Sequence, residues 1–130
     1  MLFTQDKQRV TEIPHPREYR VWRARLTDAE YDGLIAAVTK RIDTGVDLGA
    51  SRITIGAPHI ITSSWIPGHD WTGTPYQVIY EKACLEDENQ AALFFGLVVW
   101  HAVMLHPESW SFGKYHQNDI LGTTYFRVEV

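Results

Sequence analysis

The chain has 130 residues, 45% hydrophobic and 22% charged, values of an ordinary globular domain and not of a disordered chain. Its net charge of −4 argues against a general affinity for nucleic acid. The single cysteine, Cys84, excludes an intramolecular disulfide and any CxxC metal or redox motif.

Five Trp, six Tyr and five Phe stock one core well. No repeat, low-complexity tract or linker divides the chain, so residues 1–130 are expected to form a single domain. Residues 1–25 concentrate positive charge, with Lys7, Arg9, Arg17, Arg20, Arg23 and Arg25 against Asp6, Glu12 and Glu18. Four arginines spread over 17–25 read more readily as a solvated face than as a phosphate-binding patch. The first ten residues contain no apolar secretory core, and the apolar run 91–105 is short for a bilayer span. A soluble, cytoplasmic protein without a membrane partner is the default expectation.

Residues 1–16 read as an irregular lead-in, because Pro14 and Pro16 constrain the chain around His15. Residues 18–26 fit two patterns. Alternation places Trp22, Ala24 and Leu26 on one face of a strand, whereas Tyr19, Trp22 and Leu26 share one face of a helix. Strand is the narrowly preferred reading.

The next element is plainer. Thr27, Asp28, Ala29 and Glu30 form a capping box, flanked by Leu26 and Tyr31 as a hydrophobic staple. Tyr31, Leu34, Ile35, Val38 and Ile42 follow as one apolar helical stripe, and Gly45 can end it. Residues 52–55 and 59–65 are rich in β-branched side chains and flank Gly56, Ala57 and Pro58, which predicts two strands in a hairpin.

Thr74, Pro75 and Gln77 supply an N-cap, a first-turn proline and a box-closing amide for a helix to about Cys84. Glu86, Asp87 and Glu88 then precede a helix over 89–105 that is apolar nearly all round. Pro107 ends it, and 123–130 alternates as a last strand. The predicted class is α+β: a small, mostly antiparallel sheet packed by about three helices, with 89–105 central and buried.

Two aromatic loops attract a functional reading. Residues 65–76 contain Trp65, the adjacent pair His69 and Asp70, Trp71 and Tyr76; residues 110–116 contain Trp110, Lys114 and Tyr115. Flat aromatic faces can stack on a ligand, and loops on a rigid scaffold often carry function. The plainer alternative is that these rings cap the core.

Metal and cofactor signals are absent. His15, His59, His69, His101, His106 and His116 show no HExxH or paired spacing, and no GxSxG, Walker or GxGxxG motif occurs. No metal or cofactor is expected. His101, amid Leu97, Val98 and Leu105, reads as a hydrogen-bonded core histidine, and Cys84 reads as packing.

The preferred functional expectation is a non-catalytic binding or interaction domain. Loops 65–76 and 110–116 would meet a small molecule or a protein, a second copy of the chain included. The alternative is a metal-independent enzyme with His69 as general acid/base, supported by Asp70, Lys114 or Tyr115. Nucleic-acid binding through the arginines at 17–25 is the least favoured reading.

Overall fold

A computed structural model describes residues 1–44, 60–62, 71–114 and 123–128, with backbone alone at 44, 60–62, 114, 123 and 124. The elements run α1 (Pro16–Ala24), α2 (Asp28–Thr44), β1 (Ile60–Thr62), a π-helical segment (Ile79–Ala83), α3 (Glu88–Leu105), β2 (Trp110–Lys114) and β3 (Thr123–Arg127). Helices packed on one antiparallel sheet make the chain α+β, as the element pattern predicts.

Residues 16–24 are a helix, which corrects the strand reading of 18–26. Pro16 presets the helical φ in the first turn, where a missing N–H costs nothing. The helical stripe therefore prevails over the alternation. Trp22 is buried, and its Nε1 donates to Gln90 Oε1 on α3 at 3.1 Å.

Helix α2 starts as its sequence demands. Thr27 N donates to Glu30 Oε1 at 2.9 Å, and Glu30 N donates to Thr27 Oγ1 at 3.1 Å. Tyr31, Leu34, Val38 and Ile42 are buried, and α2 packs along α3.

The helix expected from Thr74 forms differently. Gln77 Oε1 accepts from Gly73 N rather than from the Thr74 amide, which itself bonds Trp71 O in a turn. The chain then widens into the π-helical segment, where Cys84 N reaches Ile79 O at 2.9 Å. Arg25 Nη1 donates to Ala83 O at 2.7 Å, so α1 supplies a partner at the end of the wide turn.

Asp87 caps α3 by accepting from Gln90 N at 3.0 Å. By length and composition α3 is apolar enough to cross a membrane. Within the fold, Ala91, Phe94, Phe95, Leu97, Val98, Val99, Ala102 and Val103 are all buried.

The sheet has the order β1-β3-β2, with both pairings antiparallel. Ile60 faces Phe126, and Trp110 faces Arg127. Residues 110–114 are thus a strand and not part of a loop. The partner of β1 is β3; residues 52–55, expected to pair with 59–65, lie outside the described residues. The lead-in is anchored too. Leu2 is fully buried and forms a parallel bridge with Trp110, extending the sheet beyond β2.

One polar residue ties three segments together. The buried His106 Nδ1 accepts from Trp110 Nε1 at 3.2 Å and from Glu108 N at 3.1 Å. Its Nε2 therefore donates to Asp43 Oδ1 at 2.7 Å, joining the end of α2 to the start of β2. His106→Phe keeps the ring volume but orphans the buried Trp110 N–H. We expect a loss of about 1–3 kcal/mol in urea unfolding with an unchanged m-value; a loss within error would show that the three-way bond contributes nothing net.

Candidate functional site

The described rings of the two aromatic segments belong to the core. Trp71 is 9% exposed, and Tyr76 and Trp110 are fully buried. Trp71 and Tyr76 both pack on Phe95, at ring separations of 5.7 and 5.3 Å. Trp110 instead packs edge-on against His106 at 5.7 Å, with the Arg127 guanidinium over its ring. Phe95 and His106 are eleven residues apart, or roughly 16 Å at the helical rise. The three rings therefore do not wall one cleft. Trp65, His69, Asp70, Tyr115 and the Lys114 side chain lie outside the described residues.

A different set of groups does converge. The lead-in, α1 and α3 enclose a groove of about 790 Å³, lined by Thr11, Glu12, Ile13, Pro14, Pro16, Tyr19, Arg20, His101 and Met104. Its outer wall is pinned where Trp100 Nε1 donates to Glu12 O at 3.0 Å. The Trp100 ring is held in turn by Phe112 at 4.7 Å.

A hydrogen-bonded chain reaches this groove at both ends. Tyr19 Oη donates to Tyr31 Oη at 2.7 Å, and Tyr31 Oη is 2.7 Å from His101 Nδ1. Each residue comes from a different helix: α1, α2 and α3 respectively. Tyr19 and His101 line the groove, whereas Tyr31 is buried behind them. The rings stack edge to face, Tyr19 standing 6.2 Å from Tyr31 and 6.3 Å from His101.

The surroundings hold Tyr31 and His101 in their uncharged forms. Burial raises the Tyr31 phenol far above its ordinary value. Burial also lowers the His101 imidazole, and the nearby positive Arg23 lowers it further. Arg23 lies 4.4 Å over the Tyr31 ring while its Nη2 pairs with Asp28 at 2.7 Å. With Arg25 bound to Ala83 O, two of the four arginines at 17–25 serve the fold. This weakens the phosphate-binding reading.

Cys84 is buried, and its thiol is pushed up to about 11 by burial, so it is a poor nucleophile. Among the described residues no three His, Cys, Asp or Glu side chains gather as a metal site would require. Comparison with known proteins finds no matching family model, no matching curated protein and no matching solved structure.

Sequence reasoning placed Tyr31 in a core stripe and His101 in a core helix, and both placements hold. It expected a hydrogen bond at His101 but did not relate it to Tyr31, nor place the half-buried His101 at a groove. The signal was a hydroxyl and an imidazole on two apolar faces, each needing a buried partner.

The lowered His101 pKa fixes the sign of a pH effect. Its ordinary value is 6.5, and in the fold it is lower. The unfolded chain thus takes up this proton first as pH falls. His101's contribution to stability is complete above 6.5 and is lost as pH falls through the folded value. We expect the His101 Cε1–H resonance to titrate with a midpoint below 6.5, and unfolding free energy to decline with pH there. A midpoint at or above 6.5 would contradict the burial argument.

Proposed function

We propose that this chain is a non-catalytic small-molecule-binding domain whose ligand sits in the groove between the lead-in, α1 and α3. One observation carries the reading: a hydrogen-bonded chain through three helices opens at both ends onto one cavity. Ligand sites are typically concave and largely apolar, with a few fixed polar groups that orient the ligand. Ile13, Pro14, Pro16 and Met104 supply the apolar lining, while Tyr19 and His101 supply the fixed groups. Glu12 and Arg20 sit exposed at the rim.

Recognition is favoured over chemistry because Tyr31 and His101 are held in their uncharged forms. The phenol of Tyr31 stays protonated well past neutrality, and His101 stays neutral with its Nδ1 already engaged. A group poised as a general base would have a free lone pair near the operating pH. This keeps the binding class expected from the sequence but moves the site away from residues 65–76 and 110–116.

The test is a thermal-denaturation screen of the wild type and His101→Phe against small amides, carboxylates, amines, sugars and nucleotides. A ligand at a hundredfold its Kd adds about 2.7 kcal/mol, a rise of several degrees in a domain of this size. We expect at least one compound to stabilise the wild type by that amount and His101→Phe by much less. Equal stabilisation of both proteins, or no stabilisation by any class, would remove the groove as the ligand site.

A further inference from the structure

We infer that the Tyr19–Tyr31–His101 chain is polarised in one direction and makes the groove selective for a carboxamide. The inference rests on the groove being the ligand site, and it adds the chemistry of the ligand's head group.

A phenol has one proton to give. Tyr19 gives its proton to Tyr31 Oη, which leaves the Tyr19 oxygen with lone pairs only. Tyr31, having accepted that bond, has its own proton for His101 Nδ1. A neutral imidazole that accepts at Nδ1 carries its hydrogen at Nε2. Among the described residues, Nδ1 is the one ring nitrogen of His101 with a hydrogen-bond partner.

The two residues that line the groove thus have opposite characters: Tyr19 accepts and His101 donates. Tyr31, between them and buried, sets both at once.

A carboxamide matches this pair, because its carbonyl takes a hydrogen bond while its N–H gives one. A carboxylate offers only acceptors and would leave the Tyr19 oxygen facing a lone pair. An ammonium offers only donors and would oppose the His101 N–H. Charge does not reverse the order. Glu12 and Arg20 bring one charge of each sign to the exposed lining, and Arg23, which acts on His101, is paired with Asp28, whereas His101 and Tyr19 are only partly exposed. The apolar lining suits a hydrocarbon body behind the amide. Tyr31 is in this sense a positioning residue: it lies behind the groove and acts through its two neighbours.

The experiment uses three probes with one ring and different heads: benzamide, benzoate and benzylamine. Nitrogen-15 spectra of the free, full-length protein read the His101 tautomer directly, without any ligand. We expect an unprotonated Nδ1 and a protonated Nε2 in the wild type. In Tyr31→Phe, where Nδ1 loses its donor, the two resonances should draw together as the tautomers mix.

Titrations followed at the groove resonances should show benzamide binding about tenfold tighter than either other probe, one hydrogen bond's worth. The preference should shrink to within about threefold in Tyr31→Phe. Tyr19→Phe, at a partly exposed position, removes the acceptor and should do the same should the buried substitution fail to fold.

A wild-type spectrum with Nδ1 protonated would overturn the polarity. Benzoate or benzylamine binding as well as benzamide would overturn the ligand class. Groove resonances that respond to none of the probes, with the tautomer as expected, would overturn the groove as a ligand site and leave the polarity standing.

Discussion

An apolar helix that must be covered on most of its circumference is the constraint behind this fold. Eight side chains of α3 are buried, and each covering element brings its own device for staying in place. Helix α2 lies along it with the stripe from Tyr31 to Ile42. Helix α1 contributes Trp22, fixed by its bond to Gln90. The segment after residue 70 contributes Trp71 and Tyr76 around Phe95, and the lead-in is drawn up by Trp100 and by the bridge to β2. Burial of each large apolar group is worth about 1.5–3 kcal/mol, which the ordering of the chain must largely offset. The polar fastenings add little net stability but select one arrangement among several of similar burial.

Those fastenings share a logic. His106 satisfies three partners at the end of α3, and Tyr31 satisfies two at its side. A buried polar atom is costly only when alone. Each of these groups sits where elements meet, so satisfying it requires the elements to be correctly placed. Of the two clusters, the one at Tyr31 lines the groove with two of its three side chains. There the need to satisfy a buried phenol also fixes which way two accessible groups present their hydrogens. On the proposed reading, structure and recognition share the same three side chains.

Among the described residues, three other buried atoms, Trp71 Nε1, Ser111 Oγ and Tyr125 Oη, find no hydrogen-bond partner. Burial raises the Tyr125 phenol strongly, so its proton stays on at any ordinary pH. The chain also tolerates left-handed backbone at Leu85 and Glu86, between the π-helical segment and α3. Two consecutive non-glycine residues there mark a tight reversal, which the cap at Asp87 and the packing of Ala83 and Cys84 hold in place.

Local order was legible in the residues where the signal is itself local. The capping box at Thr27 and Glu30, the stripe of α2, the apolar run of α3 and its end at Pro107 each depend on neighbours within a few positions. They formed as written. The α+β class followed from their sum. Residues 18–26 supported two periods at once, and Pro16 with the burial of Trp22 against α3 decided for helix. The segment from Thr74 had good helix signals, but Gln77 turned to Gly73 and the turn widened. Aromatic density at Trp71, Tyr76 and Trp110 showed that these rings mattered without showing which way they face, because a ring suited to stacking on a ligand is equally suited to packing in a core. The groove was decided by tertiary structure alone. Tyr19, Tyr31 and His101 lie on three helices up to 82 positions apart, and no local rule relates them. Only the packing of α1 and α2 on α3 brings their polar atoms within hydrogen-bonding distance.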